Sequence, residues 1–113
     1  MIVPATEEHF AGLSIARHPG VETWGFVLED GDTVKGAVFV SEAMGQAFGH
    51  DTFVSSDDPM DALRIWRRAR EELKARGFER CMVHIDTDTN PRLVEFWERV
   101  GFKPRMVVYE GEV

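Results

Sequence analysis

Two groups of side chains in this sequence are of types that can transfer protons or bind ions. His50, followed by Asp51, has an imidazole suited to proton transfer at neutral pH, although a lone histidine at a strand start is more often structural or exposed. His84, Asp86 and Asp88 alternate along a predicted strand and its end, so they point to one face and offer metal ligands. Because that spacing spans about 13 Å at the rise of a strand, the three side chains cannot bind one ion together unless the chain bends. The sequence therefore predicts no metal site, and the two aspartates would cap and solvate the strand end.

The composition is that of one acidic domain. A chain of 113 residues with 43% apolar and 29% charged residues has enough material for one core. The net charge of −7 argues against general affinity for nucleic acid or for anionic membranes. The single cysteine excludes an internal disulfide framework and suits a reducing compartment. No apolar run approaches the ~20 residues of a membrane span. We expect a single cytoplasmic domain over residues 1–113, with no nucleic acid or membrane partner.

Strand-forming and helix-forming segments in this chain predict an α+β fold. β-branched and aromatic residues indicate strands, with Asp30-Gly31 as the turn of a hairpin. The predicted strands cover residues 22–29, 33–41, 46–54, 80–86 and 105–111 and should share one sheet. The predicted helices cover residues 7–16, 59–76 and 90–100. This order gives a mixed sheet flanked by helices on both faces, with one parallel β-α-β crossover.

The long helix at residues 59–76 has the clearest start and stop signals. Asp58 is placed to cap it, Pro59 suits its first position, and Gly77 suits its end. One face is apolar, and the other carries the basic residues Arg64, Arg67, Arg68, Arg70, Lys74 and Arg76. Two interpretations of this basic face remain open. It is either a solvated face with ion pairs such as Glu72–Arg76, or a docking surface for an acidic partner.

The segment from Asp86 to Phe102 has the most specific pattern in the chain. It reads Asp86-Thr-Asp-Thr-Asn90-Pro-Arg-Leu-Val-Glu-Phe-Trp97-Glu-Arg-Val-Gly101-Phe102 and follows an apolar run. Asn90 is placed to cap a helix, the proline after it suits the first helical position, and Gly101 stops the helix. Apolar residues at helical spacing give one buried face. This sequence of strand, loop, short helix and Gly-Phe resembles the C-terminal signature of the GNAT superfamily of N-acetyltransferases.

The resemblance implies a site for acetyl-CoA at the start of the long helix. In the family, the cofactor's pyrophosphate binds backbone N–H groups within a motif of Arg or Gln, two residues, Gly, one residue, and Gly or Ala. The matching stretch here is Ser55-Ser-Asp-Asp-Pro-Met-Asp-Ala62. The residues that the resemblance places along the cofactor are Ser55, Ser56, Ala62, Asn90 and Trp97.

Only the alanine that ends this stretch agrees with the motif. Met60 stands in place of the motif's glycine and Asp57 in place of its Arg or Gln, while Pro59 removes one backbone donor. Asp58 and Asp61 add further negative charge beside an anion site. Each carboxylate within a few ångströms of a phosphate costs about 1–4 kcal/mol. We therefore expect acetyl-CoA to bind weakly or not at all.

The catalytic positions of the family are also changed here. Many members use a Tyr in the short helix to protonate the leaving thiolate, and the matching residue is Trp97, which has no suitable proton and is best interpreted as a core anchor. Tyr109, the only tyrosine, is either half-buried structure or a displaced acid. A general base in the family usually lies on the strand before the long helix, where His50 and Asp51 lie.

Three functions are consistent with these residues. The changed loop and Trp97 favour a non-catalytic, acetyltransferase-like protein that acts as an interaction or structural subunit. The alternatives are an acetyl-CoA-dependent N-acetyltransferase acting on a small-molecule or protein amine, and a module that binds another small ligand. Many members have a second helix near the N-terminus, for which this chain has no room. We expect apolar surface from Trp24, Phe26 or Phe48 to remain uncovered and to support a homo-oligomer or a protein partner.

Overall fold

The fold is one sheet with helices packed on it. The computed structural model describes residues 1–85 and 91–113, and within these residues five strands and three helices form. The strands are β1 Ile2–Pro4, β2 Glu22–Asp30, β3 Thr33–Ala43, β4 Gln46–Val54 and β5 Met82–Val83. The helices are α1 Glu7–Gly12, α2 Asp61–Ala75 and α3 Pro91–Arg99. The predicted α+β class is confirmed.

The described strands lie in the order β1-β2-β3-β4-β5 across the sheet. β1 to β4 are antiparallel neighbours, and β4 and β5 run parallel because α2 carries the chain back across the sheet. Phe48 pairs with Met82 and Gly49 with Val83, and the backbone N–H of His84 then donates to the Gly49 carbonyl at 3.3 Å. β4 runs on past the end of β5. The parallel neighbours that the sequence predicted are therefore confirmed.

Side-chain alternation along β3 separates two apolar clusters, one on each face of the sheet. Val38 and Val40 pack with residues of α2 and α3 on one face. Ala37 and Phe39 pack with Phe10 of α1 on the other face. All of these side chains are buried, and each large one contributes about 1.5–3 kcal/mol by leaving water. The predicted helices on both faces of the sheet are confirmed.

All three helices and β5 are shorter than predicted, and α3 ends at Arg99 rather than at residue 100. α1 ends at Gly12 rather than at residue 16, because Ser14 adopts a φ of 55°, outside the right-handed helical region. α2 begins at Asp61 rather than at residue 59, because the two residues before it form a turn. β5 covers Met82–Val83 rather than residues 80–86, because its described pairing with β4 is confined to these two residues.

The predicted strand at residues 105–111 is wrong. Residues 102–113 lie within the described part of the chain and form no strand there. The large apolar side chains of residues 106–109 are exposed: Met106, Val107, Val108 and Tyr109. β-branched and aromatic residues stabilise a strand only where a neighbouring strand supplies hydrogen bonds and packing. The segment has the composition of a strand, but it pairs with no described strand.

The apolar residues that were predicted to remain uncovered are covered by the chain itself. Phe26 belongs to the buried core. The Arg76 guanidinium lies over the Trp24 ring, 4.8 Å from its centroid. The Phe48 ring packs against the His84 imidazole, with ring centroids 5.4 Å apart. Among the described residues, large apolar side chains that are exposed in succession lie instead in the C-terminal segment.

None of the described helices is long and apolar enough to cross a membrane.

Candidate functional site

A bulge in β4 brings together the two residues that the sequence singled out for proton transfer. The register places Phe39 opposite His50 but Ala37 opposite Phe53, so β4 holds one extra residue here. Asp51 lies in the bulge with a φ of 49°, in the left-handed region that Asp tolerates better than most residues. Neighbouring side chains of a regular strand point to opposite faces. The bulge instead lets the Asp51 carboxylate reach the His50 ring.

His50 lies in the middle of a chain of hydrogen-bonded side chains. Its Nδ1 is 2.6 Å from Oδ2 of Asp51, and its Nε2 is 2.7 Å from Oγ of Ser41. Oγ of Ser41 is in turn 2.9 Å from Oγ1 of Thr23. Thr23 is buried, Ser41 and His50 are half-buried, and Asp51 is exposed. The cluster therefore combines a base, a carboxylate that orients it, and a hydroxyl within hydrogen-bond reach.

Sequence reasoning found His50 and Asp51 but missed Thr23 and Ser41. The two hydroxyl residues are directly opposite each other in the β2–β3 ladder. The available signal was a hydroxyl at a polar position of each predicted strand. That signal is weak, because the contact depends on the pairing register and a slip of one residue would turn the side chains to the other face.

A cleft of about 390 Å³ lies between β4, α2 and α3. Most of its wall is apolar, and its residues come from four elements, β3, β4, α2 and α3. The main ones are Thr52, Phe53 and Val54 of β4, Ala62, Ile65 and Trp66 of α2, and Leu93, Phe96 and Trp97 of α3. Two of the predicted cofactor residues, Ala62 and Trp97, are therefore brought to one cavity. An apolar cleft beside two helices is a normal place for a small ligand.

Trp97 anchors α3 in the core. Its side chain is 1% exposed, and its ring makes edge contacts with three other aromatic rings. The ring centroids of Trp66, Phe96 and Phe102 lie 5.2 Å, 5.2 Å and 4.9 Å away. The Nε1–H is buried and has no hydrogen-bond partner among the described residues. Trp97 thus packs as the core anchor that the sequence predicted.

Two backbone donors at the start of α2 are already bonded within the chain. The N–H of Met60 donates to the Asp58 carboxylate at 2.9 Å, and the N–H of Asp61 donates to the Asp58 carbonyl at 3.1 Å. Arg64 donates to the carboxylates of Asp58 and Asp61, at 2.8 Å and 2.7 Å, and offsets part of their charge. Hydrogen bonds from Arg64 and Met60 lower the pKa of Asp58, so its carboxylate stays ionised. The chain's own carboxylates occupy a position that usually attracts anions.

The predicted cofactor residues Ser55 and Ser56 are already hydrogen-bonded within the chain. The Ser56 hydroxyl donates to Oδ2 of Asp61 at 2.6 Å. The Ser55 hydroxyl donates to the Lys35 carbonyl at 3.2 Å. Both hydroxyls would have to give up these bonds to hold a phosphate oxygen.

The basic face of α2 is paired with the chain's own carboxylates at several positions. The predicted Glu72–Arg76 pair is confirmed, with Nε of Arg76 2.9 Å from Oε1 of Glu72. Nη1 of Arg76 also lies 2.8 Å from Glu22 and 2.7 Å from Glu42. Glu22 and Glu42 belong to β2 and β3, and sequence reasoning missed both. These pairs favour the interpretation of a solvated face with ion pairs.

The other predicted site residues lie in the exposed C-terminal segment or outside the described residues. Tyr109 is 91% exposed in the C-terminal segment, so it is not half-buried. Asn90, Asp86 and Asp88 lie outside the described residues. Within residues 1–85 and 91–113, no three His, Cys, Asp or Glu side chains form a group that could hold a metal ion.

Comparisons with known proteins concern the fold. No protein-family model matches the sequence, and no curated protein matches it. A protein from Pyrococcus furiosus considered an acetyl transferase has a TM-score of 0.76 and 21% identity, over 100% of this chain and 99% of that chain. An aminoglycoside acetyltransferase from an uncultured soil metagenomic sample has a TM-score of 0.66 and 14% identity, over 80% of this chain and 66% of that chain. An acetyltransferase from Trypanosoma brucei has a TM-score of 0.59 and 16% identity, over 98% of this chain and 82% of that chain.

These similarities show the fold of the chain. The chain has an acetyltransferase fold, with a mixed sheet and the parallel β4–β5 pair. At such low identity the likeness concerns the fold, because one fold supports many functions.

Proposed function

We propose that this protein, built on an acetyltransferase fold, binds acetyl-CoA weakly or not at all and acts as an interaction or structural subunit. The main support is the start of α2, where the N–H groups of Met60 and Asp61 are already bonded to Asp58. The Met60 side chain, 43% exposed, lies where the family motif has a bare glycine backbone. Trp97 adds to this support, because its indole has no acidic proton for a leaving thiolate.

The proposed interaction role is supported by the C-terminal segment. Its apolar side chains from Met106 to Tyr109 are exposed in succession. Exposed apolar patches larger than a few hundred Å² usually mark interfaces. Among the described strands, β5 lies at one edge of the sheet, and edge strands present unpaired backbone groups to other chains. The partner that fits a strand-forming segment and an open edge is a second copy of this chain.

A thermal melt with and without acetyl-CoA tests the cofactor part of the proposal. A ligand with a Kd of about 10 μM stabilises the native state by about 2.7 kcal/mol when present at about 1 mM. For a domain of this size, that stabilisation raises the Tm by several degrees. We expect no measurable shift for the native sequence. A clear upward shift, matched by titration calorimetry, would contradict the proposal.

A double substitution provides the matched comparison for this melt. Asp57→Arg with Met60→Gly restores a donor side chain and an open backbone, so the acetyl-CoA shift should exceed that of the native sequence. Asp32→Arg makes the same change of charge at the exposed β2–β3 turn and should behave as the native sequence does. An equal gain in both variants would show that net charge, rather than the helix start, controls binding.

An acetyl-CoA-dependent N-acetyltransferase is the second candidate, and the His50–Asp51 pair favours it. The imidazole could accept the proton of a small-molecule or protein amine, with Tyr109 as the candidate acid. This candidate requires the melt to shift with acetyl-CoA. It also requires an added amine to release coenzyme A, and His50→Gln to lower that release. The two candidates therefore give opposite results in the same experiment.

A further inference from the structure

We propose that Ser41, His50 and Asp51 act as nucleophile, base and orienting carboxylate, and hydrolyse small activated acyl esters through an acyl-Ser41 intermediate. The substrate class is a short-chain acyl ester or thioester whose leaving group need not carry a nucleotide, because the cluster does not include the start of α2. This inference goes beyond the proposed function and needs no acetyl-CoA. It rests on a different observation, the chain of hydrogen bonds from Thr23 to Asp51.

The chemistry of the groups assigns the hydrogen-bond donors along this chain. An ionised carboxylate only accepts, so Nδ1 of the neutral imidazole carries the proton that Asp51 accepts at 2.6 Å. Nε2 then has a lone pair, and the Ser41 hydroxyl donates to it at 2.7 Å. The remaining hydroxyl, that of Thr23, donates to Oγ of Ser41 at 2.9 Å. The Ser41 proton is therefore directed at a base, which is the arrangement that activates a serine.

The backbone of Asp51 supports a functional role for this cluster. A left-handed conformation is unfavourable for a non-glycine residue. Residues held in such conformations cluster at functional sites. Here the φ of 49° is what allows the carboxylate to bind the imidazole of the preceding residue.

The surroundings of Ser41 can admit a small acyl group. The His50 side chain is 23% exposed, and Ser41 is half-buried. Phe48 is directly opposite Ser41 in the β3–β4 ladder, and opposite residues have Cβ atoms about 5 Å apart. The Phe39 ring stacks on the imidazole with ring centroids 6.4 Å apart. Two aromatic rings thus flank the nucleophile and its base, and they suit a short apolar chain.

The reaction balances with water as the second reactant. Oγ of Ser41 bonds to the acyl carbon while its proton moves to Nε2 of His50. The bond from the acyl carbon to the leaving oxygen or sulfur breaks, and that atom takes the proton from His50. Water then bonds to the acyl carbon and gives a proton to Nε2, and this proton returns to Ser41 as the acyl bond breaks. The products are a carboxylic acid and an alcohol or thiol, and Asp51 stabilises each imidazolium that forms.

Hydrolysis of p-nitrophenyl acetate, measured without acetyl-CoA, tests this proposal. Ser41→Ala and His50→Gln should each lower the rate by about 100-fold or more, and Asp51→Asn should also lower it. Thr33→Ala and His18→Gln remove an exposed hydroxyl and an exposed imidazole elsewhere, and should keep the native rate. Mass spectrometry after an acid quench should find the acetyl group on the peptide that contains Ser41.

Three results would overturn the proposal. They are a native rate no faster than that of the unfolded chain, a folded Ser41→Ala variant that keeps the native rate, and an acetyl group on a residue other than Ser41. If Ser41→Ala does not fold, the adduct on the native protein decides the question. Because the assay contains no acetyl-CoA, its result is independent of the melt that tests the proposed function.

Discussion

Asp51 shows how one backbone torsion changes the chemistry that a residue can do. With a φ of 49° in the β4 bulge, its carboxylate binds the ring of His50. In a regular strand the two side chains would lie on opposite faces, and the imidazole would lose the partner that orients it. Thr52, the next residue, lines the cleft beside α2. The bulge thus lets neighbouring residues of β4 contribute to the hydrogen-bonded cluster and to the cleft.

Cys81 allows a prediction about reactivity at the scale of one residue. Burial raises the pKa of the Cys81 thiol from 9.0 to about 11, and a hydrogen bond with the Gly49 backbone offsets part of that rise. The thiolate is the reactive form, so a rise of this size leaves about 100-fold less of it near neutral pH. We expect an aromatic disulfide reagent to react about 100-fold more slowly with the folded than with the unfolded protein. Equal rates would contradict the burial of this thiol.

The same pKa shift predicts a loss of stability at alkaline pH. Because the folded-state pKa lies above the unfolded one, the thiol contributes stability that is fully present below pH 9.0 and is lost as the pH rises to about 11. Cys81→Ser lacks this titration, so its free energy of unfolding should fall less over that window. Parallel curves for the two proteins would contradict this assignment.

At the scale of elements, an arginine fixes each end of α2. Arg64 joins the first turn to the preceding loop through Asp58 and Asp61. Arg76, just after the last turn, joins Glu72 of α2 to Glu22 of β2 and Glu42 of β3. The crossover that makes β4 and β5 parallel is therefore held to the strands by charge as well as by its apolar face.

Replacing Arg76 tests how much this contact stabilises the fold. Arg76→Met keeps an apolar stem near Trp24 but leaves three carboxylates without their shared cation. The Arg76 and Glu42 side chains are only 28% and 19% exposed, so the loss should exceed that of a surface pair. We expect the free energy of unfolding to fall by about 1–3 kcal/mol. Urea unfolding at low and high salt measures it.

Two variants serve as controls for that measurement. Arg76→Lys keeps the charge but not the planar fork, and should lose an intermediate amount. Arg67→Met lies on the exposed face of the same helix and should change stability by less than about 0.5 kcal/mol. If Arg76→Met is no more costly than Arg67→Met, the contact does not hold the helix.

At the scale of the whole molecule, exposed apolar surface is concentrated at one end of an acidic chain. The net charge of −7 opposes random association, so a specific contact is needed to bring copies together. The exposed segment from Met106 to Tyr109 offers that contact. It also has the strand composition that could extend a sheet edge in a second copy.

We predict that the protein forms a dimer at high micromolar concentration and that Val108→Asp abolishes it. A charge in the middle of the exposed segment would have to be buried on association, which costs several kcal/mol. Val113→Asp adds the same charge outside the segment and should leave the dimer intact. Sedimentation velocity measures both. A single monomeric peak for the native protein at that concentration would contradict the prediction.

Local patterns in the sequence were sufficient to predict most elements of this protein. Asp30-Gly31 marks the β2–β3 hairpin, and helical periodicity with a closing Gly77 marks α2, because turn chemistry and side-chain period act over a few residues. The order of these elements predicted the parallel β4–β5 pair, since a strand after a crossover helix runs in the same direction. His50 and Asp51 were found as candidates because the chemistry of a side chain follows from its residue type.

Contacts between distant residues were decided only by the tertiary structure. The Ser41–His50 bond depends on the β3–β4 register and on a bulge, and neither has a local signature in this chain. Arg76 meets Glu22 and Glu42 because α2 packs back on the hairpin. The segment at residues 105–111 has strand propensity and yet forms no strand in the described chain, because a strand needs a neighbour and propensity cannot supply one. The sequence determines which reactive side chains are present. The fold decides which of them come into contact, because it sets which elements lie side by side.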